Sequence, residues 1–598
     1  MLAGLVARIA HLRTRWIAYG IVVGVCSGLA ASAFFVALEV ATRFTAVTLV
    51  RELPPEPPPG DAIFARPRPP AGPPRRWLFA LMPALGGLAS GLLVWRFAPE
   101  AEGTGTDEMI RAFHRARGVV RPRVPIVKAL ATILTLASGG SAGKEGPVAQ
   151  VGGGIGSAVA GLLGLNARDR RVLLLAGTAG GLGAIFRAPL GSAITAVEIV
   201  YREDFESEAL VPAVISSISA YAVFVLLLGG HTIFAVPPIA AFRPIEIPGY
   251  VLLALLSAPV GRVYIALFGF LRHRVFAKLP IARPLRPMLG GLGVGAIGLF
   301  VPEAYGAGWG WLQRTLNGEV LVASLAMIVA AKILATTLTV GSGGSGGVFG
   351  PTLFIGGMLG ALVGFGGAQL APAFFPNPAA YVLVGMASFF AGVASAPIGA
   401  LLMVAEMSGG YALLPPLMLV CVLAMLLARG TSIYENQVKD RFSSPAHLAD
   451  LTINVLEHMR VGDVYRKSDS LRAVSPSTRF EALRELLLSA DDATVPVVDG
   501  DGRLVGLVTA EQLRPVLDER QLDGFVVASD VAAPPLSLLP DDDLYRAHEL
   551  FRSSACPQIP VLEVSDPDDP GRGRILGMLH YRDMMRAYER ELARRREA

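Results

Sequence analysis

Ser138 to Pro147 reads SGGSAGKEGP, and 204 residues later Ser342 to Pro351 reads SGGSGGVFGP, the same frame with Phe349 in the place of Glu145. Each frame is a Gly-rich break that opens an apolar helix. The first carries an ionisable residue at membrane depth, which is costly and marks a functional position. Two such breaks at corresponding places of two halves point to a transport site built from interrupted helices. Small residues also let membrane helices pack closely, but packing alone gives no reason for a carboxylate.

Of the 598 residues 53% are hydrophobic and 17% charged, against about 25% charged in a soluble domain. The chain therefore reads as a membrane protein with a soluble part attached. Its Gly and Pro fall inside apolar segments, as broken helices require. A net charge of +5 suits contact with anionic lipid head groups better than nucleic acid, and no basic patch interleaved with aromatics stands out. Cys26, Cys421 and Cys556 are isolated and the eight histidines lack ligand spacing. No disulfide framework, metal site or resident cofactor is expected.

Arg8, Arg13 and Arg15 precede an apolar run, Trp16 to Val40, too long for a signal-peptide core. It reads as a first span with a cytoplasmic N-terminus, although Arg66, Arg68, Arg75 and Arg76 in the following Pro-rich loop, Pro54 to Pro74, run against that orientation. Trp77 to Phe97 is the next apolar run, followed by Gly103-Thr104-Gly105-Thr106-Asp107 and a polar helical stretch to Arg117. Further apolar runs cover Val124–Leu136, Val148–Leu163, Leu173–Val200, Leu210–Leu228, Val251–Leu271, Pro287–Phe300, Val320–Val340, Thr352–Leu370 and Tyr381–Val393. Ala188-Pro189-Leu190-Gly191, continuing to Glu198, recurs 208 residues later as Ala396-Pro397-Ile398-Gly399, continuing to Glu406. Two related halves follow from this. Sequence similarity leaves open whether they are inverted.

The composition changes after Leu427. Residues 1–442 read as the membrane domain and 443–454 as a linker. Two copies of one small α/β module follow, 455–520 and 521–598. Each has a helix, a strand, a turn, a second strand and a helix, with Val495-Pro496-Val497 and Ile559-Pro560-Val561 at equivalent places.

The membrane part resembles the CLC family of chloride channels and proton-coupled chloride antiporters, and the tail resembles a tandem CBS pair. Gly143-Lys144-Glu145-Gly146-Pro147 is similar to the family's GKEGP/GREGP signature. Gly347-Val348-Phe349-Gly350-Pro351 is similar to its GxFxP signature. The resemblance implies an α-helical polytopic membrane domain of two related, inverted halves with broken helices. It also implies a homodimer in the cell membrane with cytoplasmic CBS modules, each subunit having its own anion pathway. On the same ground Glu145 matches the gating glutamate, the N–H groups of Val348 and Phe349 those that hold the central anion, and Tyr434 the pore tyrosine. Thr104 stands where the family most often has its pore serine.

Physical chemistry points the same way. An anion in a bilayer needs donors, and the free N–H groups at helix starts supply them with a favourable dipole. Partial charges and hydroxyls bind an anion without trapping it, and a carboxylate among them acts as a tethered competitor. Departures from the family pattern also bear on function. Thr106 and Asp107 replace Ile and Pro, and a carboxylate beside an anion path is unexpected. Antiporters commonly carry an inner proton-relay acid one place after the residue matching Glu198; here that slot holds Ile199. Glu203, Asp204 and Glu206 are possible substitutes, though solvated helix-end charges are the favoured reading of all three. Passive conduction of chloride is therefore favoured slightly over exchange with protons.

Gly143-Lys144 is no phosphate loop, since Ser138 and Glu145 stand where that motif needs Gly and Ser or Thr. No nucleophile–base pair suggests an enzyme. Lys144 either adds a positive field to the anion path, or snorkels or pairs with a neighbour. In the tail, Thr509 and Asp583 are candidate adenine-nucleotide contacts, but Gln512 and His580 occupy the complementary slots, so each site looks half-equipped. A remote alternative is a nucleotide-sensing membrane scaffold without transport.

Overall fold

The computed structural model describes residues 2–53, 55–61, 63, 64, 67, 72–230, 232–238, 242–447, 455–467, 472–489, 494–513, 524–554, 556–563 and 573–597. Arg66 and Arg68, most of the 443–454 linker and the end of the first module lie outside these residues. The chain divides into two units, Met1–Ala446 and His447–Ala598.

The first unit is helical. Arg15–Val50, Arg76–Phe97, Ser207–Leu228, Pro244–Lys278, Val322–Gly341 and Phe349–Leu370 are long and apolar enough to cross a membrane. Shorter apolar helices, Pro378–Ala394, Pro397–Ser408 and Leu414–Leu427, are added to them. Interruptions fall where backbone chemistry demands. Arg187 adopts φ 50° and ends the helix Ala167–Phe186, and Pro189 then opens Pro189–Glu198. Ser395 at φ 54° and Pro397 repeat the arrangement. Proline suits a first helical position because its missing N–H would have no helical partner there.

The halves are inverted. Pro83, Gly87 and Gly91 correspond to Pro287, Gly291 and Gly295 at the 204-residue offset. A Cβ at Gly87 would lie 2.4 Å from the Pro287 carbonyl oxygen, and one at Gly291 2.2 Å from that of Pro83. Gly91 meets Pro284 in the same way, and Gly295 meets Ala80. Numbers rise along one helix as they fall along the other, so equivalent helices run antiparallel. Glycine is required at these crossings because no side chain fits between the backbones.

Two boundaries differ from the sequence expectation. The helices after the Gly-rich frames begin at Glu145 and Phe349, so the signature residues form their first turns. The apolar runs begin only at Val148 and Thr352 because Gly-Pro precedes each of them, and hydropathy does not register Glu145-Gly146-Pro147 or Phe349-Gly350-Pro351 as helix. Trp309–Leu316 is a further short helix without an apolar run to announce it, entered from Gly308 at φ 85°.

In the second unit Thr494–Val498 pairs antiparallel with Leu504–Thr509. Gln558–Glu563 pairs antiparallel with Arg574–His580, whose other edge takes Arg466–Lys467. The two apolar cores exchange segments. Leu456 and Val461 pack with Ile559 and Leu579, whereas Ala528 packs with Phe480 and Val495. Each core is thus completed by chain from the neighbouring stretch.

Candidate functional site

The two Gly-rich frames meet. Gly143 N–H donates to Gly347 O and Gly347 N–H to Gly143 O, both at 2.7 Å, an antiparallel bridge between equivalent residues. Each helix start is thereby brought to the same place, and both positive ends face one region.

Glu145 is wholly buried there. Its Oε2 accepts the N–H of Gly350 at 3.2 Å, in the first turn of the helix from the other half. Its Oε1 is buried without a hydrogen-bond partner among the described residues. A Cβ at Gly143 would stand 2.2 Å from that Oε2, and one at Gly350 2.8 Å from it. The signature glycines are the space in which the carboxylate docks. Gly146 and Gly347 also approach closely, since a Cβ on Gly347 would lie 2.8 Å from the Gly146 nitrogen. Pro147 and Pro351 follow as helix-start prolines that need no acceptor.

Between Gly347 N–H, taken by Gly143, and Gly350 N–H, taken by Glu145, stand Val348 and Phe349. The first helical bond of this element is Thr352 N–H to Val348 O, 3.0 Å. The N–H groups of Val348 and Phe349 therefore precede any helical acceptor. The Phe349 ring is held between Phe390, 4.0 Å away centre to centre, and Phe186, at 4.9 Å.

Tyr434 is fully buried and its hydroxyl has no hydrogen-bond partner among the described residues, with the Thr106 side chain beside it and Glu145 and Asp107 within electrostatic reach. Thr104 is buried, and its Oγ1 accepts the N–H of Asp107 at 3.2 Å. Asp107 turns its carboxylate to Asn436, accepting the backbone N–H at 2.9 Å and the Nδ2 group at 2.8 Å. The acid that looked misplaced beside an anion path is thus engaged through both oxygens.

Lys144 pairs with Asp61, from the turn Pro59–Asp61 of the Pro-rich loop, and lies 4.3 Å from the centre of the Phe35 ring. The pairing is realised, and the ammonium, next to Glu145 in the chain, also acts on that carboxylate electrostatically. Asp61 was not singled out in the sequence, because nothing local marks one acid in that loop as the partner of a residue 83 positions away.

At the far end of Pro189–Glu198, Ile199 is buried, and its carbonyl accepts Gln437 Nε2 at 3.0 Å. The three nearby acids differ. Glu203 is a surface partner of Arg429 at 3.1 Å, and Asp204 accepts the Arg441 N–H at 3.1 Å. Glu206 is no solvated helix-end charge: it is 2% exposed and accepts the Tyr201 hydroxyl at 2.8 Å. Its N–H returns to Val197 O at 2.9 Å, folding it back on the helix that Ile199 ends.

Two buried lysines escaped the sequence reading. Lys128 Nζ donates to the carbonyls of Ala101 (3.1 Å) and Gly103 (2.6 Å), and Lys332 Nζ to those of Ala304 (3.2 Å) and Gly306 (2.6 Å). Their common spacing from the repeated frames was the available signal. In the second unit Arg466 holds Asp583 through two hydrogen bonds, 2.6 and 3.0 Å, and Thr509 is buried at the end of its strand, opposite Thr494.

Comparison with known proteins gives the following. The family described as voltage gated chloride channel matches residues 86–429, and the CBS domain matches residues 461–519 and 526–590. A putative chloride channel protein ClcB-like from Ralstonia nicotianae is 32% identical over 359 residues, covering 59% of this chain and 83% of that protein. The H(+)/Cl(-) exchange transporter ClcA of Vibrio campbellii is 33% identical over 368 residues, 60% of this chain and 78% of that one. The crystal structure of a slow cyanobacterial Cl-/H+ antiporter has a similar fold, with a TM-score of 0.60 and 24% identity, covering 70% of this chain and 96% of that one.

Proposed function

This chain belongs to the voltage gated chloride channel family and ends in a CBS pair, and on that premise we propose that it carries chloride or a similar small anion across a membrane, gated by the carboxylate of Glu145. The observation that carries this reading is the hydrogen bond from Gly350 N–H to Glu145 Oε2. A side chain of one half occupies the helix start of the other as a tethered anion. Protonation or displacement of that carboxylate opens the position to a free anion, which then meets the N–H groups of Val348 and Phe349. The hydroxyls of Thr104 and Tyr434 serve it further along the path. Dipoles and hydroxyls in place of a full charge keep binding weak enough for release. The working unit is a homodimer with one pathway per subunit.

Passive conduction is the proposed mode, because Ile199 has no proton to give. One observation favours a second reading, exchange of chloride for protons: Glu206 is buried, bonded to Tyr201 and folded back onto the helix that Ile199 ends. Full-length protein in liposomes under a chloride gradient separates the two. Chloride efflux without proton movement supports conduction. Proton movement against its own gradient supports exchange, and absence of any anion flux overturns both.

In the CBS pair an adenine nucleotide would have to recruit Asp583 away from Arg466. A tail that serves structure and dimer stability fits those contacts as well as a sensor does.

A further inference from the structure

We propose that Asp107 is a positioning residue that sets the two hydroxyl donors of the anion path, Thr104 and Tyr434, and so governs which anions pass; the proposal rests on the anion-transport reading. Asp107 is the second residue of the helix Thr106–Arg115 and is 6% exposed. It acts in two directions. Its N–H occupies a lone pair of Thr104 Oγ1 at 3.2 Å, which leaves that hydroxyl's own hydrogen to donate elsewhere. Its carboxylate grips the backbone and the side chain of Asn436, two residues beyond Tyr434.

The segment so held has little other freedom. Tyr434 N–H is bound by Ser432 Oγ at 3.2 Å, and Gln437 Nε2 reaches the carbonyls of Ile199, Tyr201 and Ala394 at 3.0, 2.7 and 3.1 Å. Asp107 thus closes a ring in which the Tyr434 hydroxyl, buried and without a hydrogen-bond partner among the described residues, is the group left over. Hydrogen bonds to a carboxylate are the stronger kind, and two on one residue add direction. Glu435, Arg272 and Arg111 lie within electrostatic reach of this carboxylate; Glu435 and Arg272 are 3.8 Å apart, with His273 on Glu435 at 2.6 Å. The charge of Asp107 is directed at Asn436, and it meets the anion path through hydroxyls that it orients.

A donor pair held at one separation discriminates among anions by size, and a loosened pair does so less. The test compares initial chloride and nitrate fluxes in liposomes containing full-length protein. Asp107→Ala is expected to lower the chloride-to-nitrate ratio roughly three- to tenfold, the scale on which one hydrogen bond matters. Asp107→Asn is expected to restore most of the ratio, because a flipped Asn436 amide can still pair with it. In Asp107→Ala/Tyr434→Phe the ratio is expected to fall no further than in Tyr434→Phe alone. Should Asp107→Ala not fold, Asn436→Ala breaks the same clamp from its other side and is read the same way. A wild-type ratio in folded Asp107→Ala or Asn436→Ala would overturn the proposal, as would losses that multiply in the double variant. If the parent protein itself passes no anion the transport reading fails; if it does and the ratio is unmoved, only the clamp fails.

Discussion

Glu198 and Glu406 cap one another's helices: Glu198 accepts the N–H groups of Ile398 (3.1 Å) and Gly399 (2.7 Å), and Glu406 those of Leu190 (3.2 Å) and Gly191 (2.7 Å). Each acid lies in the last turn of the helix whose start the other one caps, so a single pair of contacts expresses the inverted repeat. First-turn N–H groups in a membrane need acceptors, and a carboxylate there also complements the helix dipole.

Glu198→Ala leaves two such N–H groups without their acceptor, and is expected to cost about 1–3 kcal/mol. Glu198→Gln keeps one acceptor oxygen and is expected to cost less. Thermal unfolding in detergent, followed by loss of the folded peak in size-exclusion chromatography, reads the order. Equal midpoints for the two variants would assign the contact no role in stability.

Glu145→Gln mimics the protonated side chain and tests the proposed gate. Anion flux is expected to persist and its pH dependence to flatten, because no titrating carboxylate then competes for the helix start. Flux that vanishes in well-folded Glu145→Gln would remove Glu145 from the gate.

The Asp61–Lys144 pair stands beside Glu145, which follows Lys144 in the chain. Losing Asp61 leaves a buried ammonium without its partner, which is expensive in a low-dielectric site. Asp61→Asn is therefore expected to strengthen the field on Glu145, favour its ionised, docked form and slow anion flux. Lys144→Met in addition to Asp61→Asn is expected to recover flux. Identical rates in all three proteins would show that the pair only ties the loop down.

Proton coupling is tested at the helix end. In a conducting protein, Glu206→Gln is expected to leave chloride flux unaltered and proton flux at background, and Ile199→Glu to add none unless a relay to Glu145 exists. Measured proton flux in the parent that disappears in Glu206→Gln would establish exchange through this acid instead.

In the second unit the paired guanidinium of Arg466 holds the Asp583 carboxyl below the usual carboxylate range. A depressed folded value adds stability above the ordinary pKa, and that stability is lost as pH falls through the depressed one. Arg466 is 52% exposed, so the pair is worth about 0.2–1 kcal/mol at most. Asp583→Asn is expected to lower the unfolding midpoint of the CBS unit slightly at neutral pH and not at all below the depressed value. A shift that persists in acid would give Asp583 a role other than its charge.

Glu145 was legible because its signal is local. A Gly-rich frame around a lone acid, repeated with an aromatic in its place, needs only neighbouring residues to be read. Asp61, Asn436 and Glu206 were not legible as partners. Each meets its counterpart through a chain reversal: Asn436 touches a residue 329 positions away, and no periodicity encodes that. Glu206 was misjudged because a charged residue after a helix is usually solvated, and only the fold of the turn buries it.

The sequence by itself determined the membrane class, the two related halves, the position of the interrupted helices and the lone acid of the first Gly-rich frame. These depend on hydropathy, helix-breaking residues and internal repetition, which are properties of contiguous chain. Only the tertiary structure decided that the halves are inverted, that Glu145 docks on Gly350 of the opposite half, and that Asp107 faces Asn436. Those outcomes depend on where helices cross. A crossing is set by the close approach of backbones at glycines such as Gly87 and Gly291, summed over the whole packed unit.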